Sequence, residues 1–169
     1  MLRILVLLLA FPQSGANPIP ATDVRAADIQ ATVKQEIANS TTDTPIRTVD
    51  AGGHNVSVAV VYRPKGAKGD AAIHDKVTEV YQVLEGAGTL VTGGMMVNPQ
   101  RRTSNAVEVT QLSGPGVSGT AIQGGVSRRI GKGDIVIIPA GTPHWFSEIQ
   151  ETLTYTVVRL DPSRTVAIK

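Results

Sequence analysis

Residues Gly66–Gly86 read GAKGDAAIHDKVTEVYQVLEG, and they have a counterpart in Gly133–Glu148, GDIVIIPAGTPHWFSE. Side chains alternate between the two faces of a strand, so Glu79, Tyr81 and Val83 share one face. His144, Phe146 and Glu148 share one on the later segment by the same rule. If both faces line one interior, two imidazoles and a carboxylate converge: His74, His144 and Glu79. Two neutral imidazoles and one carboxylate with open positions make a facial site for a divalent metal, whether Fe(II), Mn(II), Ni(II) or Zn(II). Without a metal, Glu79 would be a carboxylate on an inward strand face, where burial is costly unless a cation or donor meets it.

Outward from these segments the chain reads as short strands. Val56, Val58, Val60 and Tyr62 alternate with Ser57, Ala59, Val61 and Arg63, the pattern of a strand packed on one side, and Pro64–Asp70 breaks it. Further strands are expected at Glu79–Leu84 and Thr89–Thr92 around a turn at Glu85–Gly88. Others follow at Val107–Leu112, Ala121–Ile130, Asp134–Ile138, His144–Ile149 and Thr152–Leu160, with Ser113–Gly119 a Gly/Pro loop. No helical pattern intervenes, which implies an antiparallel sandwich or barrel. Ahead of the strands, Ile29, Val33 and Ile37 recur every four residues with Ala26 on the same side. This predicts an amphipathic helix over Asp23–Ala38, with Thr22 as its cap. Neither a dinucleotide-binding GxGxxG nor a lysine-bearing P-loop is present.

At 169 residues the chain suits one domain, and 41% hydrophobic content with 17 Gly and 10 Pro describes a turn-rich globular protein. Met1–Ala16 carries Arg3, an apolar run Ile4–Phe11 and then Ser14-Gly15-Ala16, the layout of a cleaved secretory signal. The run is shorter than the roughly 20 residues that span a bilayer. The expected organisation is a signal peptide over 1–16, a linker and helix over 17–45 and a barrel over 46–169, in an exported, periplasmic or secreted protein. Losing Arg3 leaves 15 cations of the original 16 against 14 acids. That near balance gives no reason to expect nucleic acid or a membrane surface as partner. With no cysteine, disulfides, thiolate ligands and a cysteine nucleophile are all excluded.

In its two spaced segments the sequence resembles the cupin superfamily. The first cupin motif, Gly, five residues, His-x-His, four residues, Glu, six residues and Gly, lies over Gly66, Ala72, Ile73, His74, Glu79 and Gly86. The second lies over Gly133, Pro139, Gly141, His144 and Glu148, with every spacing kept. The resemblance implies an all-β cupin-like jelly-roll barrel, a double-stranded β-helix, with one N-terminal α-helix, and a second copy of the chain as partner in a homodimer. It carries over three metal ligands, His74, Glu79 and His144. Two positions depart: Ala72 stands where the first histidine belongs, and Glu148 where the closing Asn does. The implied function is a metal-dependent enzyme acting on a small polar molecule, an organic acid or sugar derivative, by oxygenation, decarboxylation, lyase or isomerase chemistry. The alternative is a non-catalytic barrel that binds a small ligand with little or no metal. Glu148 and Tyr81 are the candidates for handling protons, and Tyr62 and Phe146 for lining the pocket. His54, Lys76, Arg101-Arg102 and Arg128-Arg129 read as surface or locally satisfied residues.

Overall fold

The computed structural model describes residues 19–169. The expected signal peptide, residues 1–16, lies outside the described residues. One helix, α1 (Ala26–Asn39), precedes the strands β1 (Thr44–Asp50), β2 (Asn55–Arg63), β3 (Ala71–His74), β4 (Thr78–Thr92), β5 (Met95–Val97) and β6 (Gln100–Arg101). A five-residue π-helical turn, Glu108–Leu112, leads to β7 (Gly116–Gly119), β8 (Ala121–Gln123), β9 (Val126–Gly131), β10 (Ile135–Ile138) and β11 (His144–Asp161).

Two long strands organise the rest. The later half of β11 lies between β2 and the first half of β4. Its beginning lies beside the second half of β4 and, through His144 opposite Ala72, beside β3. β10 flanks the start of β4 and β9 flanks its end. The result is two antiparallel sheets, β1-β2-β11-β4-β10 and β6-β7-β3-β11-β4-β9, held together because β4 and β11 run through both. This is the expected all-β jelly roll with one helix ahead of it.

Several local expectations are corrected. β4 continues through Gly86 instead of turning at Glu85–Gly88. Gly86 takes φ +76°, and a Cβ there would collide with the Thr152 carbonyl, so only glycine lets the two long strands bend together. β11 likewise absorbs the expected break near Glu151 as register shifts rather than a loop. In place of the strand expected at Val107–Leu112, Glu108–Leu112 is a π-helical turn, closed by the five-residue bond from the Ser113 N–H to the Glu108 carbonyl at 2.8 Å. The Gly124-Gly125 pair splits Ala121–Ile130 into two strands, and part of the expected Ser113–Gly119 loop is β7.

The main core gathers Ala59, Val61, Tyr81, Val83, Leu90, Phe146, Ile149, Leu153, Tyr155 and Val157 between the sheets. The inward face of β2 is therefore the Ala59 and Val61 side, not the Val56, Val58 and Tyr62 side, whose residues are only half-buried. Helix α1 packs on β1 and β2. It buries Glu36 and leaves Ile37 52% exposed, so the helix is rotated from the face that its apolar spacing suggests. Its start is Arg25, whose N–H donates to Asp28 Oδ2 at 3.2 Å, and Thr22 plays no capping part.

Glu36 is 1% exposed, with Thr44 and the Tyr62 backbone as its nearest polar groups. Burial pushes its carboxyl up to about 7, with the charge of Asp43 adding to the shift and Thr44 drawing it back in part. A folded-state value above the unfolded 4.5 contributes stability that is present below about 4.5 and lost as pH rises through about 7. Glu36→Gln is expected to remove this dependence. Between pH 5 and 8 the melting temperature of the parent protein should fall by a few °C relative to the variant, read by calorimetry.

Candidate metal centre

His74 ends β3 and Glu79 enters β4 one turn later, while His144 opens β11. The two segments are tied directly, since the Gly141 N–H donates to the His74 carbonyl at 2.7 Å. One ligand atom from each of His74, Glu79 and His144 lies within 4.8 Å of the others, and all three residues are buried. Glu79 Oε2 is 3.5 Å from His74 Nε2 and 3.3 Å from His144 Nε2. Ligand atoms about 2.1 Å from a shared ion at near-tetrahedral angles lie about 3.4 Å apart, so these edges have the right length.

This is a cupin fold. The two spaced motifs fall on β3, β4 and β11 of one jelly roll, and they bring the three expected residues to one point inside the cupin barrel. That register and strand pairing are those of a cupin-like jelly roll. No protein-family model matches the chain, and no curated protein matches it. Solved structures similar to it include an oxalate oxidase, at 22% identity and a TM-score of 0.42, over 65% of this chain. This chain spans only 43% of that oxidase. Others are the cupin domain of Schizosaccharomyces pombe Cnp3 (11% identity, TM-score 0.42, 68% of this chain and 58% of that one) and a Klebsiella pneumoniae protein with a double-stranded β-helix domain (16%, 0.42, 72% and 79%).

The partners of each ligand test whether a metal suits the barrel. His144 Nδ1 faces the Thr142 carbonyl at 3.0 Å and must donate to it, which leaves the Nε2 lone pair aimed at Glu79 Oε2. Two acceptors then face each other, an arrangement that a cation, an added proton or a bridging donor satisfies. His74 is different. Its Nδ1 lies 3.3 Å from Arg102 Nη1, which can only donate, so Nε2 carries the proton and points it at Glu79. Presenting Nε2 to a metal requires the other tautomer and the release of that long Arg102 contact. Burial keeps the His74 imidazole below its ordinary value and therefore neutral, the form a ligand needs. With that one adjustment, the donor set fits a divalent ion.

Glu79 is 1% exposed, and its charge is met inside the protein. Arg159 Nε donates to Oε1 at 2.7 Å, and the rest of that guanidinium grips Asp43 at 2.9 and 2.6 Å. Tyr81 Oη donates to Oε2 at 2.8 Å. Burial by itself would push the carboxyl up, but the adjoining His74, then the Arg159 charge and the hydrogen bonds from the two histidines, hold it well below the usual carboxylate range. The cation and the donor that this burial requires are thus supplied by Arg159 and Tyr81. Burial and the neighbouring Glu79 push the Tyr81 phenol well above its ordinary value, so it keeps its proton and orients Oε2.

The cavity at this centre has a volume of about 120 Å³, and Ala72, Trp145, Phe146, Leu112, Ser113 and Tyr155 line it along with the charged groups. Two candidates fall elsewhere. Glu148 is exposed and accepts from Gln150 Nε2 at 3.1 Å, because a register shift between Phe146 and Glu148 turns it off the Phe146 face. Tyr62 is half-buried and outside the cavity lining. Lys76 is exposed and also outside it, and Arg101 pairs with Asp75 at the surface. Arg159 carried a signal that went unread: in Leu153, Tyr155, Val157 and Arg159, a cation occupies an inward strand position. Asp43 and Arg102 carried none.

Arg159→Met would leave Glu79 and Asp43 without their shared cation. The expected cost is about 3–5 kcal/mol in urea unfolding, as for removal of one partner of a buried pair. A loss below about 1 kcal/mol would show that Glu79 is held by other groups.

Proposed function

We propose that the protein is a metal-dependent cupin enzyme acting on a small polar molecule, with a divalent ion held by His74 Nε2, Glu79 Oε2 and His144 Nε2. The observation that carries this reading is the meeting of two acceptors, His144 Nε2 and Glu79 Oε2, at 3.3 Å inside a buried cavity. When bound, such an ion would supply Lewis acidity or a redox centre for a substrate oxygen. The chain's own groups do the rest. The Thr142 carbonyl fixes the His144 ring, Arg159 fixes one oxygen of Glu79 and Tyr81 the other, so two of the three groups are set before anything binds, and His74 follows by changing tautomer. Trp145, whose indole donates to the Gly69 carbonyl at 2.9 Å, and Leu112 on the π-helical turn wall the cavity and limit water. The class of reaction extends over oxygenation, decarboxylation, lyase and isomerase chemistry.

A second reading, a barrel that binds a small ligand without turnover, is favoured by the Arg102 contact to His74, since that contact holds the tautomer opposite to the one a metal needs. Export after cleavage near Ala16 and a homodimer go with either reading. Among the described residues no helix is long and apolar enough to cross a membrane.

Elemental analysis of protein purified without chelator decides between the two. Near-stoichiometric divalent metal is expected in the parent protein, and at least a tenfold loss in His144→Ala. Metal content that does not change with that substitution contradicts the metal reading. Tight metal binding that appears only in Ala72→His would favour the ligand-binding barrel.

A further inference from the structure

The place vacated by the missing motif histidine is not empty space. Ser118 on β7 is the register partner of Ala72, and Arg102 Nε donates to the Ser118 hydroxyl at 2.9 Å. Arg102 Nη1 reaches the Ser113 hydroxyl at 3.2 Å and His74 Nδ1 at 3.3 Å. The backbone makes room for it: Arg102 N–H donates to the Gly116 carbonyl at 3.1 Å, and a Cβ on Gly116 would sit 3.2 Å from Nη1 and collide with the Ile73 carbonyl. A guanidinium thus stands beside the small side chain of Ala72, on the wall of the same cavity.

Arg102 differs from the other deep guanidinium there. Arg159 spends its donors on Asp43 and Glu79. Arg102 is half-buried, its bonds go to two neutral hydroxyls and one ring nitrogen, and Nη2 has no partner among the described residues. Among the described residues no carboxylate lies within ion-pair distance of it, nor of Arg63, whose Nε donates to Tyr155 Oη at 3.3 Å. The other two carboxylates around the cavity, Asp70 and Glu108, are exposed. A guanidinium lacks a lone pair and cannot replace a metal ligand, but its planar fork matches a carboxylate.

We propose that Arg102 is the specificity-determining residue of this cavity and anchors the carboxylate of a short organic acid. The proposal rests on the cavity being the functional site and deepens the reading above by naming its substrate class. A cavity of about 120 Å³ holds a few water-sized groups. Two- and three-carbon carboxylates suit that space better than larger polyacids. The long His74 contact is the bond that yields when a carboxylate takes up the fork.

Calorimetric titration and thermal shift with sodium acetate and sodium pyruvate, at ionic strength matched with chloride, test the assignment. The parent protein is expected to bind both, and to bind neither neutral acetamide nor citrate. Arg102→Gln should weaken binding at least tenfold, Arg102→Lys less, and Arg101→Gln not at all. Equal affinity in Arg102→Gln, or acetamide bound as well as acetate, overturns the proposal. So does loss of metal together with anion in Arg102→Gln, because Arg102 would then be holding His74 and not the ligand. Should Arg102→Gln fail to fold, Ala72→Val fills the space beside the guanidinium, and unchanged acetate affinity in it would be equally fatal. A parent protein that holds no metal yet binds acetate through Arg102 would sink the metal reading and leave this one standing.

Discussion

A carboxylate with 1% of its surface exposed, Glu79, sits at the centre of this barrel, and the structure around it is arranged to keep it charged. Moving an ion out of water costs several kcal/mol unless opposite charge and donors replace the solvent. Here Arg159 takes one oxygen, Tyr81 takes the other, and Asp43 restores the balance on the far side of the guanidinium. Because Oε1 is committed to Arg159, Oε2 alone faces the two histidines. That division of labour between the oxygens makes the carboxylate a single, aimed ligand.

The division depends on strand register. Arg159 and Glu79 are directly opposite on β11 and β4, so the ion pair is a cross-strand pair on the inward face of the sheet. The same two strands carry His144 and most of the main core, and they pass from one sheet to the other by bending at Gly86 and at the register shifts of β11. Slipping either strand by one residue would turn the whole set outward. Fold and site therefore share one constraint, and a sequence that keeps the barrel closed also keeps the three ligand atoms together.

The two spaced motifs made the barrel and the trio of His74, Glu79 and His144 legible, because turn glycines and period-two alternation act locally. What escaped the sequence depends on geometry that has no local signature. The shift beside Ser147 that turns Glu148 outward is set by pairing with β4, not by the residues themselves. Asp43 lies far from Arg159 along the chain and meets it only through the packing of β1 on β2 and β2 on β11. Arg102 looked like half of a surface Arg-Arg pair, and strand pairing sends its neighbour Arg101 to Asp75 at the surface while Arg102 enters the cavity. The helix shows a similar effect: tertiary packing buries Glu36 where apolar spacing pointed to Ile37.

Ala72 gives these observations their sense. A cavity that resembles a four-ligand centre offers three candidate ligands and, beside the fourth place, a guanidinium with an unused donor. The most direct test of the account is a crystal structure of the protein loaded with Mn(II), with the ion located by anomalous scattering. The account predicts a peak about 2.0–2.2 Å from His74 Nε2, Glu79 Oε2 and His144 Nε2, with Glu79 Oε1 still on Arg159 and Arg102 withdrawn from His74 Nδ1. A peak away from Glu79, or none at saturating Mn(II) with the Arg102–His74 contact intact, would contradict it.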